Sequence, residues 1–245
     1  MFPQLSRVHE LRALIADPST ESAYFRQDFD DRLCKSAARR EAWIAREREF
    51  QGLDDVAWAF LKEEARPYLM RKDKKGRGWQ QLFNILNQAS AYNFLRQQLG
   101  CATVRFVPRD PNMETPDLEG KTGSCTVLCE VKTIAVSEIE ITARCGGTGS
   151  YTGPGLGEGF FTKLLADIDK ARNQMVAYSG DSPTRKIAYI TIEFDDSLGE
   201  YTDAHYLQID GFLEGRHLAA EVVFFNRQTA FHPKIDMKNA VIINE

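Results

Sequence analysis

The stretch "TPDLEGKTGSCTVLCEVKTI", residues 115–134, decides how the chain is read. Its second half alternates, with Val127, Cys129 and Val131 on one side of an extended segment and Thr126, Leu128, Glu130 and Lys132 on the other. Its first half places an acid directly after a proline, and Lys121 to Ser124 has the composition of a turn. The whole reads as a β-hairpin: residues near 115–120 run out and "CTVLCEVKTI" runs back. The Val127 side is expected to pack beneath a helix. Across such a hairpin Asp117 stands opposite or diagonal to the Leu128-to-Glu130 region, close enough for its carboxylate to approach that of Glu130.

Working outward, "CATVRFV" (101–107) is rich in β-branched and aromatic residues and predicts a strand closed by the turn-prone "PRDPN". Before it, Leu82, Phe83, Leu86, Ala89, Leu95 and Leu99 recur at three-to-four-residue intervals. This predicts a long helix from Trp79 capped at Gly100. Residues 1–75 show helical spacing among many charges, and Trp43, Trp58 and Trp79 fall on these patterns as core residues. After the hairpin, "AVSEIEITA" suggests another strand, and the glycines of "CGGTGSYTGPGLGEG" forbid a regular element. "FFTKLLADIDKARNQMVAY" is an amphipathic helix, "RKIAYITIEF" a buried strand, and "EVVFF" and "AVII" short extensions of the same sheet. The order implies an α/β sandwich around a mixed sheet. A helical N-terminal region, 1–75, precedes a core of 76–245.

Composition limits the function classes. The chain has 245 residues and a net charge of −4, which argues against indiscriminate affinity for polyanions. One local exception is "RKDKKGRG" (71–78), a basic segment that serves as a solvated linker or as a phosphate contact. No apolar run reaches the ~20 residues of a membrane helix, and "MFPQLSRVHELRAL" has no uninterrupted apolar stretch of the signal-peptide kind. The expectation is a soluble, cytoplasmic protein with no membrane partner. Cys34, Cys101, Cys125, Cys129 and Cys145 form no CxxC pair, so they read as small and mostly buried apolar residues. His9, His205, His217 and His232 lack ligand spacing. The glycine-rich segment lacks the Gly-Lys-Ser/Thr ending of a phosphate loop, and there is no Gly-x-Ser-x-Gly elbow.

Two adjoining carboxylates repel, which makes a divalent cation their natural occupant. Oxygen ligands suit Mg²⁺, with Mn²⁺ as a substitute, and such an ion can polarise a phosphodiester and activate water. Lys132 stands one pleat from Glu130 on the same face, where an ammonium supports the developing charge or the nucleophile. Asp/Glu-x-Lys occurs elsewhere in the chain, but only Glu130-Val131-Lys132 follows an apolar strand run. Pro116-Asp117 is the sole Pro-Asp.

At Pro116, Asp117, Glu130, Val131 and Lys132 the chain resembles the PD-(D/E)xK nuclease superfamily. That resemblance implies a restriction-endonuclease-like αβββαβ core with a central mixed β-sheet flanked by helices, spanning Trp79 to Phe194. It implies that Asp117, Glu130 and the Val131 carbonyl ligate Mg²⁺ and that Lys132 is the catalytic lysine. Gln174-x-x-x-Tyr178 is similar to the glutamine-tyrosine motif of the RecB-like branch, whose side chains support the site or bind substrate. The pattern departs at Gln88, which stands about where many members carry a glutamate on the first core helix. A neutral amide is a poorer cation ligand, so a second metal is in question. The expectation is a Mg²⁺-dependent nuclease acting on DNA. Residues 1–75 and the basic segment would contribute substrate binding or self-association into a homo-oligomer. The alternative is a catalytically inactive protein of the same fold that binds nucleic acid or serves as a scaffold.

Overall fold

A computed structural model describes residues 2, 4–71, 79–134, 155–180, 182–192, 202–216, 218, 220–226 and 229–231. The chain divides at Gly100–Cys101 into two units, each with its own core.

The first unit is helical: α1 (Ser6–Ala13), α2 (Phe29–Lys35), α3 (Ala37–Gln51), α4 (Asp55–Ala65), a 3-10 turn (Arg66–Tyr68), α5 (Gln80–Leu86) and α6 (Gln88–Asn93). The single helix expected from Trp79 is broken at Asn87. There the Asn87 carbonyl accepts both the backbone N–H of Ser90 (3.2 Å) and the Ser90 hydroxyl (2.7 Å), and its side chain accepts Arg46 Nη1 at 2.8 Å. A serine that bonds back to its own turn competes with the helical ladder. A wider π turn over Phe94–Gln98 follows, and Gly100 ends the run at φ 64°, a backbone region that favours glycine. Trp43 and Trp58 are buried, the former within a set of tilted and edge-on rings formed with Tyr24, Phe25, Phe29 and Phe83. Trp79 is half-buried.

One buried acid ties this unit together. The first turn of α1 has no side-chain cap of its own. Glu47 of α3 supplies one, accepting the backbone N–H groups of Arg7 (3.0 Å) and Val8 (2.9 Å), the Ser6 hydroxyl (3.1 Å) and Gln51 Nε2 (2.6 Å). A carboxylate there satisfies orphan donors and complements the helix dipole.

The second unit is a mixed α/β structure: β1 (Thr103–Phe106), β2 (Leu118–Thr122), β3 (Cys125–Ile134), α7 (Glu158–Ser179), β4 (Thr184–Ile192), α8 (Thr202–Leu213), β5 (Glu221–Asn226) and β6 (Thr229–Phe231). The strands lie in sequence order in one sheet. The β1–β2, β2–β3 and β5–β6 pairs are antiparallel, and β3–β4 and β4–β5 are parallel. The hairpin turn is tighter than the sequence suggests. Lys121 and Thr122 continue the ladder opposite Thr126 and Cys125, leaving Gly123 and Ser124 as the loop, with Gly123 at φ 56°.

Leu164, Ile168, Ala171 and Met175 of α7, with Ile209 and Leu213 of α8, pack on Leu128, Ile134, Ala188, Ile190 and Ile192 of the sheet. Phe161 and Phe212 stack at 4.4 Å between the two helices. The covered face is therefore the one that carries Leu128, Glu130 and Lys132, not the Val127 side expected to receive the helix. Val127, Cys129 and Val131 are buried as well. A strand flanked by a parallel neighbour is commonly buried on both sides, so alternation locates its faces without saying which one a helix takes.

Two of the four described cysteines, Cys34 and Cys125, are exposed rather than buried. The strand expected in "AVSEIEITA", most of the glycine-rich stretch, the "AVII" run and residues 72–78 of the basic segment lie outside the described residues. No helix of the described residues is long and apolar enough to cross a membrane.

Candidate active site

Continuing the β2–β3 register one step past Leu118↔Cys129 sets Asp117 opposite Glu130. Two bonds cross the hairpin here: the Asp117 N–H donates to Glu130 Oε2 (3.1 Å), and the Val131 N–H donates to Asp117 Oδ2 (2.8 Å). Because the N–H and C=O of a strand residue point to the same side, the Val131 carbonyl also faces the Asp117 edge. Lys132 Nζ donates to Glu130 Oε1 at 2.5 Å and to Gln174 Oε1 of α7 at 2.7 Å. Asp117, Glu130, Val131, Lys132 and Gln174 thus form one connected cluster between a hairpin and the helix above it.

Burial sets the electrostatics. Glu130 is only 4 % exposed, and that burial, reinforced by the charge of Asp117, pushes its carboxyl up to about 8 despite the opposing pull of Lys132. Asp117 is raised as well, chiefly by desolvation, with the Val131 N–H and the charges of Lys132 and Arg109 acting the other way. The acids titrate as a pair rather than singly. Behind them the Cys129 thiol is driven up by burial and by the same two carboxylates.

The remaining residues singled out from the sequence are placed differently. The Tyr178 hydroxyl donates not into this cluster but to Glu119 Oε2 at 3.3 Å, and the same oxygen accepts Arg105 Nη2 at 3.0 Å. Gln88 is buried in α6 of the first unit. Arg105 and Glu119 escaped the sequence reading, although strand alternation puts Glu119 on the face of Asp117 and the β1–β2 register sets Arg105 opposite it. Arg109, two residues past the Val107 N–H that bonds to the Asp117 carbonyl, was also passed over.

The described residues contain no group of three or more His, Cys, Asp or Glu able to hold a metal. Two carboxylates and a backbone carbonyl nonetheless fit an ion that keeps most of its water, as Mg²⁺ does. The raised carboxyl of Glu130, due first to burial and then to Asp117, shows that this pocket disfavours two bare carboxylates side by side. Zinc and other thiophilic metals do not suit this oxygen donor set. No family model, curated protein or solved structure matches the chain.

Proposed function

We propose that the protein is a Mg²⁺-dependent nuclease that hydrolyses phosphodiester bonds, with DNA as the substrate. The observation that carries this reading is that Asp117 and Glu130 are held together, the Asp117 N–H on Glu130 and the Val131 N–H on Asp117, with Lys132 anchored on Glu130. A mere surface ion pair needs neither the burial of Glu130 nor the second carboxylate beside it. The resemblance of Pro116-Asp117 and Glu130-Val131-Lys132 to the PD-(D/E)xK pattern supports the same chemistry, and with it a restriction-endonuclease-like core.

Asp117, Glu130 and the Val131 carbonyl would hold the ion. Bound there, Mg²⁺ supplies Lewis-acid polarisation of the phosphodiester and a more acidic water. The chain's own part is preorganisation. The Val131 N–H fixes one oxygen of Asp117, and the Asp117 N–H fixes one oxygen of Glu130. Lys132, held by Glu130 and Gln174, offers its remaining donor to negative charge developing on phosphate oxygens. Gln174 keeps that ammonium from swinging away.

Purified wild type is expected to cleave DNA only with Mg²⁺ or Mn²⁺. Asp117→Ala and Lys132→Ala are each expected to lower the rate by at least about 100-fold while remaining folded. Mn²⁺ should raise the melting temperature of wild type but not of Asp117→Ala. Undiminished cleavage by both variants excludes the assignment. Metal-dependent stabilisation with DNA binding but no cleavage would favour the non-catalytic reading.

A further inference from the structure

We infer that Glu119 is a positioning residue for this cluster, acting through the last turn of α7 to hold Gln174 on Lys132. Glu119 lies on the same face of β2 as Asp117, two residues and about 7 Å along the strand, opposite Leu128. It is 14 % exposed at its side chain, and its Oε2 is shared by the Tyr178 hydroxyl (3.3 Å) and Arg105 Nη2 (3.0 Å). Glu119 thus bridges Arg105 and Tyr178, linking β1, β2 and α7 through one carboxylate oxygen.

The position of Tyr178 in its helix makes this contact consequential. The carbonyls of a helix's last turn lack intrahelical partners, so that turn opens first. In α7 the fully buried anchors are Leu164, Ile168, Ala171 and Met175. Beyond Met175, Val176 is 42 % exposed, and Gly180 at φ 54° ends the helix. Tyr178, in the final turn, packs on the core, and Glu119 is the acceptor of its hydroxyl. Gln174 stands one turn inboard, at the spacing that puts both side chains on one stripe of the helix. Two ties one turn apart therefore fasten α7 to the hairpin, Gln174 to Lys132 and Tyr178 to Glu119. Releasing the outer tie lets the end of the helix lift and loosens the inner one.

The decisive readout is the side-chain amide of Gln174 in protein carrying ¹⁵N-glutamine, assigned as the NMR signal lost in Gln174→Ala. In Glu119→Ala that signal is expected to move toward the position of free glutamine. Tyr178→Phe, which deletes a single oxygen, should reproduce the change even if Glu119→Ala does not fold. Glu119→Gln keeps an oxygen for the tyrosine hydroxyl and should leave the signal in place. An unchanged Gln174 amide in both Glu119→Ala and Tyr178→Phe overturns the inference.

A kinetic arm rests on the nuclease reading. Glu119→Ala should lower kcat on the order of 10-fold, as loss of a supporting partner does, and cost nothing further in a Gln174→Ala background. Additive losses would show that Glu119 acts by another route. Absence of cleavage by wild type removes the nuclease reading, and the amide signal still decides the role of Glu119.

Discussion

Glu130 carries a proton well above the range where a free glutamate loses one, because it is buried and because Asp117 stands beside it. The folded value, about 8, exceeds the ordinary 4.5, so between these two pH values the folded protein retains a proton that the unfolded chain has released. Stability of the metal-free protein therefore falls as pH rises through that window, by at most about 1.4 kcal/mol per pH unit for one proton. Glu130→Gln cannot titrate and should flatten this slope in urea melts taken from pH 5 to 8. A slope equal in wild type and variant would place the proton elsewhere. If the site holds Mg²⁺ as proposed, the ion would displace the same proton, and its stabilisation of the protein would then grow with pH over the same interval. The neighbourhood of Asp117, Glu130 and Lys132 is legible from alternation alone, since three residues on one pleated face of a hairpin have little freedom to separate. The destination of Tyr178 is not. Gln174 and Tyr178 share a helical stripe, yet α7 crosses strands whose order and register no local pattern specifies, so only the folded structure shows Gln174 meeting Lys132 while Tyr178 meets Glu119.

Among the elements, α1 is instructive because its sequence gives it so little. It spans eight residues with no capping side chain of its own, and helices that short are marginal in water. Glu47 supplies from α3 what α1 lacks, and the residue is 3 % exposed. Glu47→Ala leaves the Arg7 and Val8 N–H groups without an acceptor and should cost roughly 2–4 kcal/mol in denaturant unfolding. Glu47→Gln, which keeps an acceptor oxygen, should cost about half of that; equal losses in the two would mean that the cap contributes nothing beyond charge. Long periodic elements such as α7, and β-branched runs such as β4, are legible because their burial pattern is written in their own residues. α8 was not read from the sequence. Its fully buried positions, His205, Ile209 and Leu213, recur every four residues, but the first is polar and Gly211 interrupts the apolar pattern. The break at Asn87 was equally hidden, since it depends on Arg46, 41 residues away, as well as on Ser90.

For the molecule as a whole, the sequence indicated a mixed sheet with helices and a helical N-terminal region, and the sheet, α7 and the first-unit helices have that character. What could not be read was where the chain divides, because contacts rather than composition separate Gly100 from Cys101. The cluster itself is assembled from links of very different reach. Asp117 and Glu130 are 13 residues apart, Lys132 and Gln174 are 42, and Glu119 and Tyr178 are 59. Closing the longest of these loops costs about 1 kcal/mol more entropy than closing the shortest, and β3 gains its parallel neighbour only after α7 has been traversed. The two acids should therefore meet early in folding, in a nascent hairpin, before any roof lies over them. Gly123→Ala, strained at a φ of 56°, is expected to act mainly on the refolding arm of a chevron plot, whereas Ile168→Ala beneath that roof should act mainly on the unfolding arm. The tight turn at Gly123 thus has a second consequence: it sets the order of events, and a chain that misses it must bring like charges together late, across a collapsed and already dehydrated interior.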